Sequence, residues 1–383
     1  MASRDDFYLS NDTGAFQQGL NCAGATSPLM NISGKETHQY DVIVVGAGYA
    51  GLTACRELCT ASGIGGRTYT AEVDGHLYEM EGTWGLTALL ASHTELGVGN
   101  NHCTTFFERG GQSVDHKTVL CNVDGKSGRE AIPYPHNPHH KPEAKHWEQM
   151  SVAQRLEQIE SDLTNDDIDK AGLFDVLRWR ALSGYTMDGR YETGGQFKIP
   201  TGQSTFARCF FEEALQTHDL AYSFNTAVAS IQDLADRVIK AAARHGHVNQ
   251  GAKFHLEVLS SGLQTFCSGS EGGLTSQGNT HIVCFGWNKD FPTPEQDARD
   301  FVADCGKLHT MEVRKTVWHN CSKDPFSEGS WCIFPPNFSF EHLEALQERA
   351  RNILFVGSDR ALGWRRYIDS AIERGGLADQ DTE

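Results

Sequence analysis

The chain has 383 residues, 39% hydrophobic and 10% aromatic, enough for two domains with a sizeable core, which excludes collagen, coiled coil and wholesale disorder. Asp and Glu number 50 against 33 Lys and Arg, and a net charge of -17 argues against nucleic-acid binding while weakly favouring a cationic ligand. No apolar run approaches the ~20 residues of a membrane helix, and 11 cysteines without a C-x-x-C predict a reduced, cytoplasmic setting rather than a disulfide framework or zinc ribbon.

Residues 1–39 are polar, Gly/Asn/Ser-rich and without a period, which predicts a loose arm. The opening MASRDDFYLS lacks the basic and apolar regions of a signal peptide, so Asn11-x-Thr13 and Asn31-x-Ser33 read as chance sequons. Asp41–Val45 is a continuous β-branched run, the pattern of a buried parallel strand. Gly46-Ala-Gly48-Tyr-Ala-Gly51 follows, then a helix to about Cys59. In this strand-to-helix setting Gly46 permits the tight turn, Gly48 lets the backbone approach a pyrophosphate and Gly51 lets the helix pack. The helix N-terminus then favours the anion. Cys55 and Cys59 share one helix face and read as core residues rather than a redox pair.

A second glycine element, Gly65-Gly66-Arg67-Thr68, precedes Tyr78-Glu-Met-Glu-Gly82-Thr-Trp84. Arginine and close-approach backbone can both serve a phosphate, which points to a flavin, although the bare motif would equally make a turn. Residues 133–147 are Pro/His-rich and predict a loop, and the spacing of His136, His139 and His140 fits no standard ligand set, so no metal is expected. Ser151–Asp167 predicts a helix with Ser151 as cap and Gln154 three residues on. Ser204–Gln216 predicts a second helix. Tyr222–Ile231, Lys253–Val258 and His281–Phe285 predict strands, and Ser260–Gly278 a surface loop. Phe338–Arg351 predicts a helix, and Asn352–Val356 another buried strand leading into Gly357-Ser-Asp359.

The segments DVIVVGAGYAGLTACREL, GIGGRTYTAEVDGHLYEMEGTW, TGQSTFARCFFEEA, GHVNQGAKFHLEV, DPFSEGSWCIFPP and NILFVGSDRALGWRRYIDSAIERG lie in order and span most of residues 41–376. Together they resemble the flavin-containing monoamine oxidase family, most closely its soluble fungal branch. The resemblance implies an α/β fold with a discontinuous, Rossmann-like FAD-binding domain (40–86, 194–246 and 328–383). An α+β substrate domain with a mixed sheet (87–193 and 247–327) would be inserted in it. It implies oxidation of the C–N bond of a small-molecule amine, such as a secondary-metabolite intermediate, to an imine, with O2 reduced to H2O2.

Residue by residue, Lys253 matches the lysine that holds a water near the flavin, where its charge could also assist oxygen reduction. Trp331 and Tyr367 match the aromatic pair flanking the amine. Gly363 and Trp364 match flavin-contacting positions. Asp359 matches the polar residue near the ribityl–phosphate region, and Val228 a position whose backbone contacts the adenine. Gly65, Gly66 and Arg67 join Gly46, Gly48 and Gly51 as cofactor-binding residues. Ser330 stands where some members carry a cysteine thioether, so FAD is expected to be non-covalent.

Three departures from the family stand beside these matches. The acid that grips the adenosine ribose has no counterpart, because none lies between Glu57 and Glu72. A helix from Tyr49 to Cys59 descends roughly 16 Å at ~1.5 Å per residue. Returning takes about five extended residues at ~3.3 Å each, and Thr60–Ile64 leaves none for a turn. The helix must shorten or a strand is absent. Only Ile239–Gly246 separates Val238 from His247, where the family has a further strand and helix, and the segment after Trp84 is altered. A full oxidase of this kind is longer by roughly a hundred residues, about the size of a small domain. Lost buried segments would expose apolar surface and favour a homo-oligomer. They also keep open a second reading, an impaired flavin-fold remnant or the product of an incorrectly joined gene. An NAD(P)-dependent reductase is disfavoured, since NAD too needs the ribose acid.

Overall fold

The computed structural model describes residues 6–32, 39–58, 70–79, 94–95, 132, 134, 136–142, 144–158, 171–182, 197–198, 201–216, 220–224, 226–234, 239–245, 266–271, 281–285, 297, 299–300, 302–303, 312–321, 324 and 332–380. In chain order the strands are β1 (Phe7–Ser10), β2 (Phe16–Gln18), β3 (Asn21–Cys22), β4 (Thr70–Val73), β5 (His76–Glu79), β6 (Thr94–Glu95), β7 (Phe197–Lys198), β8 (Thr226–Asp233), β9 (Ile239–His245), β10 (Phe266–Glu271), β11 (His281–Phe285) and β12 (Lys315–Trp318). The α-helices are α1 (Tyr49–Leu58), α2 (Ala144–Glu148), α3 (Val152–Gln158), α4 (Leu173–Leu182), α5 (Gln203–Leu215), α6 (Phe338–Gln347) and α7 (Ile368–Gln380).

The N-terminal stretch is not a loose arm over its described residues. β1 is the middle strand of the sheet β12-β1-β2, with Phe7 opposite both Gln18 and Trp318. Phe7 is only 6% exposed. The buried Asp6 carboxylate accepts the Leu20 N–H at 3.3 Å. These strands are three or four residues long, too short for a period to be read from sequence. Farther on, Asn31 engages both ends of its amide. Its oxygen accepts from the Tyr222 N–H and its NH2 donates to the Leu220 carbonyl, each at 2.7 Å.

One core gathers α1, α5, α7 and residues 220–224. Tyr49, Leu52, Cys55, Ala207, Phe210, Phe211, Tyr222 and Phe224 are buried in it. Cys55 is thus a core residue, while Cys59 lies outside the described residues. Gly375 sets the crossing of α1 and α7: a Cβ there would stand 2.3 Å from the Ala50 carbonyl oxygen. A second core joins α2, α3 and α4 through Met150, Val152, Leu173, Phe174 and Leu177, with Phe340 of α6 packed on it. α3 begins with the expected reciprocal cap. Ser151 N–H donates to Gln154 Oε1 at 2.8 Å, and Gln154 N–H donates to Ser151 Oγ at 3.1 Å.

α5 and β11 fall where the sequence predicts them. α6 stops at Gln347 rather than Arg351, because Ala350 bridges Ile353 and Arg351 takes a left-handed φ of 54°. The Ser/Gly-rich 260–278 stretch holds β10, which pairs antiparallel with β11, Phe266 opposite Phe285. The partner strand, rather than the composition, fixes its conformation. Lys253–Val258 lies outside the described residues.

The larger correction concerns the two buried parallel strands. Among the described residues every ladder is antiparallel, and neither Asp41–Val45 nor Asn352–Val356 joins one. Ile43, Val45 and Phe355 are 46%, 50% and 45% exposed. A central strand is buried by neighbours on both sides. The sequence leaves only Thr60–Ile64 in which to supply one of them.

Candidate functional site

The glycine turn is built tightly. Gly46 has φ 94°, a left-handed conformation that favours glycine. A Cβ on Gly51 would lie 2.0 Å from the Gly46 carbonyl oxygen, so the turn and the helix it opens interlock. Leu52 N–H donates to the Gly48 carbonyl at 3.0 Å. Tyr49 is anchored by its hydroxyl, which donates to the Gln203 carbonyl at 2.9 Å. The first turn of α1 carries no acidic residue. Gly46, Gly48 and Gly51 therefore come together at a helix N-terminus whose first turn carries no carboxylate. Val228 sits in β8 opposite Ala243, next to a register irregularity before Ser230.

The C-terminal signature folds into a 3-10 turn, Ser358–Arg360, and an irregular turn that ends at α7. Asp359 Oδ1 accepts from the Ser358 hydroxyl at 3.2 Å. The rings of Trp364 and Tyr367 stand 5.3 Å apart and nearly perpendicular, at 83°. Backing them, His136 lies 6.3 Å from Trp364, and its Nδ1 would be 3.0 Å from a Cβ on Gly363. Asp369 and Glu373 follow on α7, and burial raises both carboxyls; the charge of His136 opposes this at Asp369, and that of Arg374 foremost at Glu373. Gly363, Trp364 and Tyr367 are thus brought together. Lys253, Trp331, Ser330, Gly65, Gly66 and Arg67 lie outside the described residues. Cys332 is described. Burial, followed by the charges of Asp359 and Asp175, pushes its thiol up to about 12, which keeps it protonated at neutral pH.

Sequence reasoning overlooked the group that organises this turn. Asp175, on α4, is buried and receives three guanidiniums: Arg365 at 3.1 Å, Arg366 at 3.2 Å and Arg178 at 3.5 Å. It also accepts the Phe334 N–H at 2.8 Å. Arg178 donates onward to the carbonyls of Leu362 and Gly363, at 2.8 and 2.5 Å. Arg365 reaches Ser339 Oγ at 3.3 Å and lies over the Phe334 ring, 4.0 Å from its centre. Burial works to raise the Asp175 carboxyl, but Arg365, Arg366 and Arg178 outweigh it and hold it below the ordinary range. Burial and the neighbouring Arg365 bring Arg178 down to about 9. The visible signals were the Arg365-Arg366 doublet and the i,i+3 pair Asp175 and Arg178.

The Pro/His-rich loop contributes packing here. His139 stacks on Phe340 at 4.1 Å, and its Nε2 meets Ser339 Oγ at 3.1 Å. Burial, then the charges of Arg365 and Arg178, push it down to about 4, so it is neutral at pH 7. Glu148 closes the N-terminus of α6 by accepting the Ser339 and Phe340 N–H groups, the latter at 2.9 Å.

No profile of a known protein family matches the sequence. Curated proteins do, two bacterial dehydrogenases among them. The chain is 23% identical to a pseudooxynicotine dehydrogenase of a Pseudomonas species, over 88% of this chain and 84% of that protein. It is 24% identical to a nicotine dehydrogenase of Pseudomonas putida, over 93% of this chain and 91% of that one. Those alignments run over 430 and 443 residues, more than the 383 of this chain, so the relatives carry segments that it lacks. Among solved structures, a double mutant of putrescine oxidase superposes with a TM-score of 0.64 at 13% identity, covering 88% of this chain and 97% of that one. No helix among the described residues is long and apolar enough to cross a membrane. These similarities agree with the resemblance to amine oxidases drawn from the sequence, and the fold is the one shared by putrescine oxidase and cyclohexylamine oxidase; they do not single out a fungal branch.

Proposed function

We propose that this protein is an FAD-dependent amine oxidase of the cytoplasm. It would oxidise the C–N bond of a small-molecule amine, a secondary-metabolite intermediate among them, to an imine, and reduce O2 to H2O2. The observation that carries the reading is the Gly363–Tyr367 turn, with Trp364 and Tyr367 perpendicular and held in place by a buried ion cluster. The fit to the cofactor is good at two of its three ends. The interlocked Gly46–Gly51 turn suits a pyrophosphate, and the C-terminal turn offers two aromatic rings set edge to face beside the flavin ring. The ribose end has no acid in the place the family puts one.

In this reading Gly46, Gly48, Gly51, Gly65, Gly66 and Arg67 hold the pyrophosphate. Asp359 serves the ribityl region, Val228 the adenine, and Gly363 and Trp364 the ring, all without a covalent bond. When bound, the flavin would supply the hydride-accepting and O2-reducing chemistry. Tyr367, with Trp331, confines the amine between π-faces, which attract its cationic form before deprotonation. Lys253 holds a water and offers its positive charge to the oxygen as it is reduced. Residues 40–86, 194–246 and 328–383 would form the cofactor domain and 87–193 with 247–327 the substrate domain. Self-association through exposed apolar surface fits the same picture.

A second reading, an impaired flavin-fold remnant, is favoured by the exposure of Ile43, Val45 and Phe355 on two stretches that join no ladder among the described residues. One measurement separates the two. The purified chain should be yellow, or become so with added FAD, and should release peroxide with a panel of primary amines. A chain that stays colourless with excess FAD sinks the oxidase and leaves the remnant.

A further inference from the structure

We propose that Asp175 is the positioning residue of the amine site: its carboxylate ties the 332–334 stretch to the Gly363–Tyr367 turn and so fixes the wall that Trp364 and Tyr367 present. The proposal rests on the oxidase reading for its function, but the tether itself stands on geometry.

Asp175 lies on α4, an element remote in sequence from both stretches that it joins. Toward one it accepts the Phe334 N–H at 2.8 Å, three residues beyond Trp331 in sequence. The neighbouring Gly172 N–H donates to the Phe334 carbonyl at 2.9 Å, so that residue is gripped at both backbone ends. A Cβ on Gly172 would stand 2.8 Å from the same carbonyl oxygen, which leaves no slack between α4 and this stretch. Toward the other stretch Asp175 takes Arg365 and Arg366, the two residues between Trp364 and Tyr367. Through Arg178 it also reaches the carbonyls of Leu362 and Gly363. Arg366 holds a left-handed φ of 82°. A non-glycine residue keeps that conformation only where its surroundings over-determine it. Here its ion pair with the buried carboxylate does so. One carboxylate therefore sets where the aromatic turn sits relative to the opposite stretch.

A buried counter-ion for three arginines would also be required for folding alone, so the test must separate charge balance from position. Asp175→Asn removes the charge and leaves the arginines uncompensated. The pair Asp175→Asn with Arg366→Gln returns the cluster to its wild-type net charge but does not restore the ionic tether. Two readouts apply to the full chain. The first needs no flavin: the rate of iodoacetamide alkylation at Cys332, the thiol in the tethered stretch, resolved by peptide mass spectrometry. The second is kcat and KM for an amine in FAD-loaded protein of equal flavin content.

In the pair, the melting temperature is expected to return toward wild type. Cys332 should still be alkylated several times faster, and kcat/KM should stay about a hundredfold low, the scale of a ~1 Å misplacement. Lys315→Ala, at an exposed ion pair, should leave both readouts unchanged. If Cys332 stays as protected as in wild type, or kcat/KM recovers together with the melting temperature, Asp175 is a counter-ion only and the proposal is overturned. Should neither Asp175 variant fold, Arg366→Gln alone loosens one tether at a partly exposed side chain and is read the same way. If the wild-type chain takes no FAD, the oxidase reading fails separately and the Cys332 rate decides the tether.

Discussion

The two regions that would hold the cofactor are held together by different means. The C-terminal turn is fixed by ions: three guanidiniums and a backbone N–H converge on the Asp175 carboxylate. The region before α1 relies on a sheet, and Asp41–Val45 joins none among the described residues, although the Gly46–Gly51 turn after it is intact. Local steric contacts preserve a turn without neighbours, whereas a parallel strand depends on segments far along the chain. Among the described residues the turn is kept where the sheet beside it is not seen.

Removing the ionic anchor is the most severe way to break this contrast. Asp175→Ala leaves buried guanidiniums unpaired and should cost about 3–5 kcal/mol in urea unfolding. Gly375→Ala pushes α1 from α7 against a backbone oxygen 2.3 Å away, and should cost about 1–3 kcal/mol. Ser151→Ala removes half of the reciprocal cap and should cost ~1 kcal/mol.

Acid should weaken the ion-held region in a defined window. His139 is held near 4 in the folded chain against 6.5 for the free side chain. Between those values the unfolded chain takes up a proton that the folded chain refuses. Stability from this group is therefore lost as pH falls from 6.5 to 4, and His139→Gln should flatten that part of the stability profile. Asp175, held low, loses its contribution only at more acidic pH, as its folded form protonates. The smallest effect is expected in the other region. Val45→Thr and Ile43→Thr, at half-exposed positions, should change stability by no more than about 0.5 kcal/mol. A loss several times larger would mean that this stretch is a buried strand after all.

What could be read from the sequence was local. The Gly46–Gly51 turn, the Ser151/Gln154 cap, α5 and β11 all depend on residues within a few positions of each other. Asp175 could not be read, because its partners Phe334, Arg365 and Arg366 lie in segments brought to it only by the fold. β1 was missed because it and β2 are too short to show a period, and its other partner β12 lies far along the chain. The β-branched run Asp41–Val45 misled in the opposite direction. It records a preference for burial between strands and says nothing of whether those strands exist.

The placement of β1 also bears on how the chain is made. Its hairpin partner β2 leaves the ribosome almost at once, but β12 does not, and Asn11 bonds a carbonyl 302 residues farther along. During nearly the whole of translation one side of β1 is therefore an open edge of unpaired amides and carbonyls carrying Phe7 and Leu9. Such an edge invites pairing with other nascent chains. Yield in a cell should then depend on how quickly synthesis reaches residue 318, and on chaperones that cover the first hairpin in the meantime.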